Sequence, residues 1–503
     1  MYLEFALSYL AVVLWLCDLF LRRLEVQGEK RYGPKFIAAA ACLSLMVLVT
    51  GCDSGGSSNK TAKIDTVEDP TFDQAIFSNP TMINNTWHPM VPKTSQVYQL
   101  KTEDGTEIIV VEVLDETRMV DGVLTRVVRD RVFEDELLME DTFDWFAQDD
   151  SGNIWYLGEE VINYEYDDDD EVIETNEDGS WESGKDVADV GSNAVAGILI
   201  KAAPIIGDIY QQEFYEGEAE DMAEVVAQDV TVELDNGFTY TGALQTLEWN
   251  PLEKDSDEYK YYAPDVGLIL EVSLEDEEQT ELMGTFLTGE DRVPDFDAAV
   301  FTDPTLVDNA YFPHEPGTTY TYEMETEDGL EEVVYEVLEE TRVVNGIECI
   351  VVRDRVYLED LLIEDTHDWY AQDDSGNVWY MGEEVVNYEY DDEDDLLGTN
   401  DDGSWEAGED GALPGIVMWA DPVVGESYYQ EYWEDEAEDM GLVHSLNVTV
   451  ELSGNTVYED CLKIMDWNPL EPGVIEFKYY APGVGVVKEE EMDDQILELV
   501  DME

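Results

Sequence analysis

The chain has 503 residues, with 121 Asp and Glu against 24 Lys and Arg, a formal net charge of −97 and a pI near 4.1. Such a surface excludes nucleic acid as a partner, because phosphate binding needs clustered cations. Hydrophobic residues at 44% and aromatics at 11% are ample for real cores, so the acidity belongs to a solvated surface that needs screening by salt, by bound divalent cations or by both.

From the N-terminus, Met1–Phe20 is apolar apart from Glu4 and Asp18, and a basic region with Arg22, Arg23, Lys30, Arg31 and Lys35 follows it. Residues 36–49 form an apolar run too short to span a bilayer comfortably, closed by Thr50, Gly51 and Cys52. That order describes an export signal. Val49-Thr50-Gly51-Cys52 resembles the lipobox of bacterial lipoproteins, which implies cleavage before Cys52 and lipid on its thiol and new amino group. The leader is thus 1–51 and the Gly/Ser-rich stretch after Cys52 is a tether, 52–66. The extra apolar segment upstream reads as a misassigned start, with translation beginning near Val26; a true first membrane segment is the alternative.

The remainder is one unit written twice. Val127–Tyr166 recurs nearly letter for letter at Val351–Tyr390. Asp368 minus Asp144 and Arg353 minus Arg129 both give 224, whereas Trp467 minus Trp249 and Tyr479 minus Tyr261 give 218, so the first copy carries six extra residues between Trp181 and Pro204. A period this long suits two tandem globular domains, 67–290 and 291–503, rather than a solenoid.

Within each copy short β-branched and aromatic runs are separated by turn residues. Glu103-Asp104-Gly105, Asp121-Gly122 and Asp150-Ser151-Gly152 are hairpin signals. Phe143, Trp145 and Ala147 alternate with Thr142, Asp144, Phe146 and Gln148, as a half-buried strand requires. Helical period is weak outside Phe72–Phe77 and Asp295–Phe301. The expected fold is mainly β: two tandem copies of a curved antiparallel meander sheet or open β-barrel with little helix, behind an N-terminal hydrophobic leader. The ends of copy two, Tyr311-Phe312-Pro313, Pro316–Tyr320 and Tyr479–Gly485, with the Asp373–Tyr380 turn between them, resemble a group of uncharacterised exported bacterial proteins that carries no established activity.

Candidate chemistry is sparse. Arg129 and Arg131 are two apart and share a strand face beside Glu140, Asp141 and Asp144, as Arg353 and Arg355 do beside Asp368. They suit an ion-pair ladder with those carboxylates, or alternatively a clamp for an anionic ligand. The acidic loops bearing Asp167, Asp168 and Asp178, and their partners Asp391, Asp392 and Asp402, offer the oxygen ligands that calcium takes; EF-hand spacing fails because Lys185 stands at the closing position. An irregular calcium site and plain solvated loops both remain open. His88, His314, His367 and His444 fall at no metal-ligand spacing, and no nucleophile or phosphate-loop motif is present, so no enzyme is expected.

Cys349 and Cys461 are the only thiols after Cys52, and their register partners in copy one are Thr125 (349 minus 224) and Ala243 (461 minus 218). Because copy two has both sulfurs and copy one neither, a Cys349–Cys461 disulfide is expected, with Cα atoms within about 7 Å. The functional expectation is a lipid-anchored cell-envelope protein on the exported side, non-catalytic, whose concave sheet presents Trp145, Trp155, Trp369 and Trp379 to an apolar or glycan ligand. The alternative is a structural or adhesive envelope protein in which those rings fill the core.

Overall fold

A computed structural model of the chain describes residues 71–503 except 103–104, 168–169, 186–193, 218, 255, 327–328, 392–393 and 492–494. The leader, Cys52, the tether, Asp168 and Asp392 therefore lie outside the described residues.

The first repeat contributes β1 (Thr94–Lys101), β2 (Thr106–Val120), β3 (Val123–Glu134), β4 (Leu137–Gln148) and β5 (Ile154–Tyr166). Next come β6 (Val172–Asn176), β7 (Trp181–Glu182), β8 (Val195–Ile200), β9 (Ile209–Gln211) and β10 (Glu213–Phe214). It finishes with β11 (Met222–Glu233), β12 (Thr239–Trp249), β13 (Glu258–Ala263), β14 (Gly267–Ser273) and β15 (Gln279–Leu287). The second repeat runs β16 (Thr319–Thr326), β17 (Gly329–Val344), β18 (Ile347–Leu358), β19 (Leu361–Gln372), β20 (Val378–Tyr390), β21 (Leu396–Asn400), β22 (Trp405–Glu406) and β23 (Leu413–Met418). β24 (Ser427–Tyr429), β25 (Glu431–Tyr432), β26 (Met440–Glu451), β27 (Val457–Trp467), β28 (Ile475–Ala481), β29 (Gly485–Glu491) and β30 (Ile496–Met502) complete it. Helix among the described residues is limited to three-residue 3-10 turns at Phe72–Gln74, Glu290–Arg292 and Phe296–Ala298.

Each repeat is one 15-stranded antiparallel sheet, ordered β10-β8-β5-β4-β3-β2-β1-β15-β14-β13-β12-β11-β9 in the first and β24-β26-β27-β28-β29-β30-β16-β17-β18-β19-β20-β23-β25 in the second, with β6, β7, β21 and β22 as side branches. Both sheets curl into barrels, and one bent segment closes each. In the first, Ile209–Gln211 pairs with β11, while Glu213 and Phe214, one residue further on, pair with β8 at the opposite edge. Gln212 is the corner, and its side-chain amide donates to Leu199 O at 3.2 Å and to Glu248 Oε2 at 3.0 Å, joining the two edges. β8 must come very close to this corner: a Cβ on Gly197 would sit 2.3 Å from the Gln212 carbonyl, and one on Gly415 would meet Gln430 at 2.3 Å. Glycine is the residue that permits such an approach.

Turn chemistry follows the sequence where glycine marks it. Asp121 and Gly122, like Asn345 and Gly346, are both left-handed, the type I′ geometry whose twist matches the flanking strands. The β3–β4 turn is different: Asp135 and Glu136 adopt the same left-handed pair with no glycine at all. The expected helices at Phe72–Phe77 and Asp295–Phe301 shrink to single 3-10 turns whose phenylalanines pack onto β5 and β20. Matching hydrogen bonds, Gly184 N–H to Ala194 O and Gly408 N–H to Ala412 O, confine the six-residue length difference to 186–193 against 410–411.

The expected disulfide is absent. Cys349 and Cys461 are free and fully buried. They sit on β18 and β27, and five elements separate these strands in either direction, through β28, β29, β30, β16 and β17 or through β26, the closing segment, β23, β20 and β19. Each thiol fills a small core position on its own side of the barrel, as Thr125 and Ala243 do in the first repeat. Burial pushes Cys349 up to about 12 and Cys461 up to about 11, so neither is a reactive thiolate.

The barrels meet head to tail. The outer face of β1, β2, β3 and β15, carrying Val97, Ile108, Val110, Phe133, Met283 and Phe286, joins one continuous core with the outer face of β26, β27 and β28. Phe286, fully buried, lies 4.7 Å from Trp467, and Phe238 lies 4.9 Å from His444. Gly289 N–H donates to the Tyr429 hydroxyl at 2.8 Å. The corresponding outer positions of the second repeat are Thr321 for Val97, Glu332 for Ile108, and Glu503, which pairs with Thr319 as Phe286 pairs with Ser95. Truncating Phe286→Ala should cost about 3–5 kcal/mol and split a single calorimetric transition into two, one per barrel.

Candidate binding site in the second barrel

Strand alternation sends every second side chain inward, and in the second repeat the inward set is unexpectedly polar. It encloses a cavity of about 410 Å³. Tyr322 of β16, Tyr335 of β17, Asp354 of β18, Asp368 and Tyr370 of β19, and Tyr380 of β20 form one wall. Glu476, Lys478 and Tyr480 of β28, with Glu489 of β29, form the other. Phe312 and His314 enter from the segment ahead of β16, stacked at 4.1 Å.

The polar groups are mostly tied to one another. His314 Nε2 and the Tyr335 hydroxyl are 2.7 Å apart, and the Tyr380 hydroxyl donates to Asp368 Oδ1 at 2.7 Å. Lys478 Nζ lies 3.1 Å from Glu476 and 3.3 Å from Asp466. Burial opposes the lysine charge, but Glu476, Glu489 and Asp466 together hold Lys478 well above its ordinary value. Burial, reinforced by Glu383, pushes Asp368 up to about 8, and burial with Asp368 nearby pushes Asp354 well above the carboxylate range. Burial lowers His314 to about 4, so its ring is neutral at pH 7. Asp354 Oδ1 is buried without any hydrogen-bond partner.

The first barrel repeats this frame with a drier lining. Lys260 sits among Glu258 at 2.9 Å, Glu271 at 3.2 Å and Glu248 at 3.7 Å, and Tyr156 donates to Asp144 at 2.6 Å. Yet Val111, Phe146 and Met90 stand where the second barrel has Tyr335, Tyr370 and His314.

The expected ligand-face tryptophans face the other way. The cavity wall takes Tyr370 and Tyr380, so their chain neighbours Trp369 and Trp379 must point outward. There each is covered. Arg118 lies 3.7 Å above Trp145 and Arg342 lies 3.6 Å above Trp369, whereas Phe72 and Phe77 enclose Trp155, and Phe296 and Phe301 enclose Trp379. The arginines form cross-strand ion pairs, with Asp141 among the carboxylates beside Arg129 and not with Asp144. Arg129 makes a two-point contact with Asp141 at 2.7 and 2.9 Å, and Arg353 pairs with Asp365; Arg131 reaches Glu112 at 3.6 Å and Arg355 reaches Glu336 at 3.3 Å. Asp144 and Asp368 face the lumen instead.

In the acidic loops, Asp167 Oδ1 accepts from Glu171 N–H and Asp391 Oδ1 from Asp395 N–H, while Asn176 and Asn400 side chains cap the Asp178 and Asp402 amides. Among the described residues no group of three or more His, Cys, Asp or Glu side chains is placed to hold a metal ion. Thermal midpoints should accordingly rise by several degrees from low ionic strength to molar salt, and calcium and magnesium at matched ionic strength should give equal midpoints; a calcium-specific increment would restore a metal site.

The lumen residues were hidden because Asp354 stands between Arg353 and Arg355 in an acidic chain, where one more carboxylate is inconspicuous. The usable signal was the strand period: a charged residue at an inward position in both copies, Asp130 and Asp354.

No protein-family model and no curated protein matches the chain. Among solved structures it is similar to a crystal structure from Parabacteroides distasonis described as a "putative lipoprotein", at 12% identity and a TM-score of 0.24, covering 39% of this chain and 99% of that one.

Proposed function

We propose that the protein is a lipid-anchored, non-catalytic binding module of the bacterial cell envelope, and that its ligand site is the lumen of the second barrel. The observation that carries this reading is the cavity of about 410 Å³ lined by tyrosine hydroxyls and buried carboxylates, a volume within the range of small-molecule sites. A tyrosine-rich, donor-hungry wall suits a polar ligand rather than an apolar one, which narrows the glycan-or-apolar expectation toward the polar side. The first barrel serves as its support, docked through a large apolar face. Anchoring rests on the leader: Val49-Thr50-Gly51-Cys52 supplies the lipidation site.

Two experiments test this. Mass spectrometry of small molecules released on denaturing protein taken from its native envelope should find a polar compound in stoichiometric amount; an empty protein would favour the structural alternative. The Cys52→Ser variant should leave the membrane fraction and lose acyl label; retention through an intact Met1–Phe20 would refute the misassigned start, and a wild-type chain without acyl label would refute the lipid anchor.

A further inference from the structure

We infer that the lumen of the second barrel recognises a small organic cation bearing a primary ammonium group, held by Asp354 and enclosed by tyrosine rings; this rests on the lumen being the ligand site and adds the ligand's chemical class. The first observation is charge. Seven carboxylates line the cavity (Glu331, Asp354, Asp368, Asp439, Glu476, Glu489, Glu491) against the single base Lys478, whose own partners are already Glu476 and Asp466. Burial favours the protonated form of Asp354 in the empty barrel, and an ammonium ligand brings the counter-charge that lets it ionise, which a neutral polyol cannot do. The second observation is the unpartnered acceptor. Asp354 is half-buried, but its Oδ1 atom is shut off from solvent and meets no donor, an arrangement that disfavours the empty state. The side chains of its strand neighbours Arg353 and Arg355 point to the other face and pair with Asp365 and Glu336, so neither guanidinium reaches it.

The third observation is the enclosure. Tyr322, Tyr335, Tyr370, Tyr380 and Tyr480 all border the cavity, and ring faces attract ammonium groups at a few ångströms. Tyr335 is a ring that the first repeat lacks, with Val111 in its place, and the Tyr370 hydroxyl is new to this repeat, with Phe146 in its place. A metal ion fits the same charge less well, since no three ligating side chains converge among the described residues. An N–H donor is what Asp354 lacks, which favours a primary ammonium over a quaternary one.

Titration calorimetry of the full chain with 1,4-diaminobutane and 1,5-diaminopentane tests the assignment, with butane-1,4-diol and N-acetylglucosamine as neutral probes. The diamines should bind at one site per chain, at least tenfold more tightly than either neutral probe. Asp354→Asn should weaken the diamines at least tenfold without lowering the melting temperature, because it removes a buried carboxylate that has no counter-charge. Tyr335→Val, which installs the first repeat's residue, should weaken them several-fold and serves if the asparagine variant does not fold. Asp130→Asn in the other barrel should leave affinity within twofold. Equal or tighter binding of a neutral probe would overturn the ammonium assignment and leave the lumen as the site. Absence of binding by every probe to the wild-type chain would overturn the ammonium assignment and, together with an empty native protein, the lumen reading as well. Loss of diamine binding in Asp130→Asn equal to that in Asp354→Asn would overturn the placement of the amine in the second barrel.

Discussion

Between pH 6.5 and 8 the protein should become less stable as the pH rises, with the melting midpoint falling by on the order of 10 °C. The cause is the set of carboxyl groups inside the barrels. Burial raises Glu107, Glu140, Asp144 and Glu383 to about 7 and Asp368 to about 8, from ordinary values of 3.8 to 4.5. Asp130, Asp354, Glu271 and Glu489 are also raised well above the carboxylate range, with burial the largest cause. A group whose folded value is raised binds a proton more firmly in the fold than in the unfolded chain. Its stabilising contribution is complete below the unfolded value and is lost as the pH climbs through the folded one. A carboxyl that stays protonated in the fold across this interval thus forfeits about 2 kcal/mol, being 1.5 pH units at about 1.4 kcal/mol each.

The window is chosen for a clean sign. His88, His314 and His444, lowered to about 4 by burial, oppose the carboxyls only below their ordinary value of 6.5, and Lys463, lowered to about 8, opposes them only above that. Calorimetry at fixed ionic strength checks the slope, and Asp368→Asn should flatten it for the second barrel. A midpoint that is level or rises from pH 6.5 to 8 would mean these groups are ionised and solvated in the fold.

The second large effect lies at the closure. Gly415→Ala should destabilise the second barrel by more than about 4 kcal/mol, beyond ordinary overpacking, because the new Cβ would stand 2.3 Å from both the carbonyl carbon and oxygen of Gln430. That backbone cannot swing aside without breaking its own bonds: Gln430 N–H donates to Asp439 O at 2.7 Å, and its side chain donates to Asp466 Oδ1 at 2.7 Å. Hydrogen exchange should show β23 and β25 losing protection first. Gly454→Ala, with open space around it and no left-handed backbone, is the control and should be neutral. If both variants melt together within a degree, the closing contact is not as tight as described.

Much of this architecture was legible in the sequence, and the exceptions have physical causes. The two copies, the antiparallel meander and the Asp-Gly turns could be read because hairpin chemistry is local. The Asp135-Glu136 turn escaped because no glycine marks it and, in so acidic a chain, one more Asp-Glu pair does not stand out. Curvature decides which strand face becomes the lumen, and no single strand encodes it. The tryptophans were therefore assigned to the wrong side: Trp369 and Tyr370 are neighbours, and only the closed barrel says which one looks inward. The cysteine pair misled for a similar reason, since co-occurrence in one copy says nothing about which side of a barrel each strand occupies.

The head-to-tail contact between the repeats also bears on assembly. A heterologous contact between two like units is open-ended in principle, because each added unit offers a fresh surface to the next, and such geometry grows filaments. This chain carries two such units, and the outward-facing copies of the joint differ from the buried one. At one free end the counterparts of the buried interface are Thr321, Glu332 and Glu503. At the other, the counterparts of Leu442 and Ile475 are Glu224 and Asp257. Both termini of the would-be fibre are acidic, so two chains meeting end to end would bring like charges together on surfaces without the apolar seal. Duplication thus produced an adhesive joint, and acidic substitution at its two exposed copies keeps that joint from propagating from chain to chain.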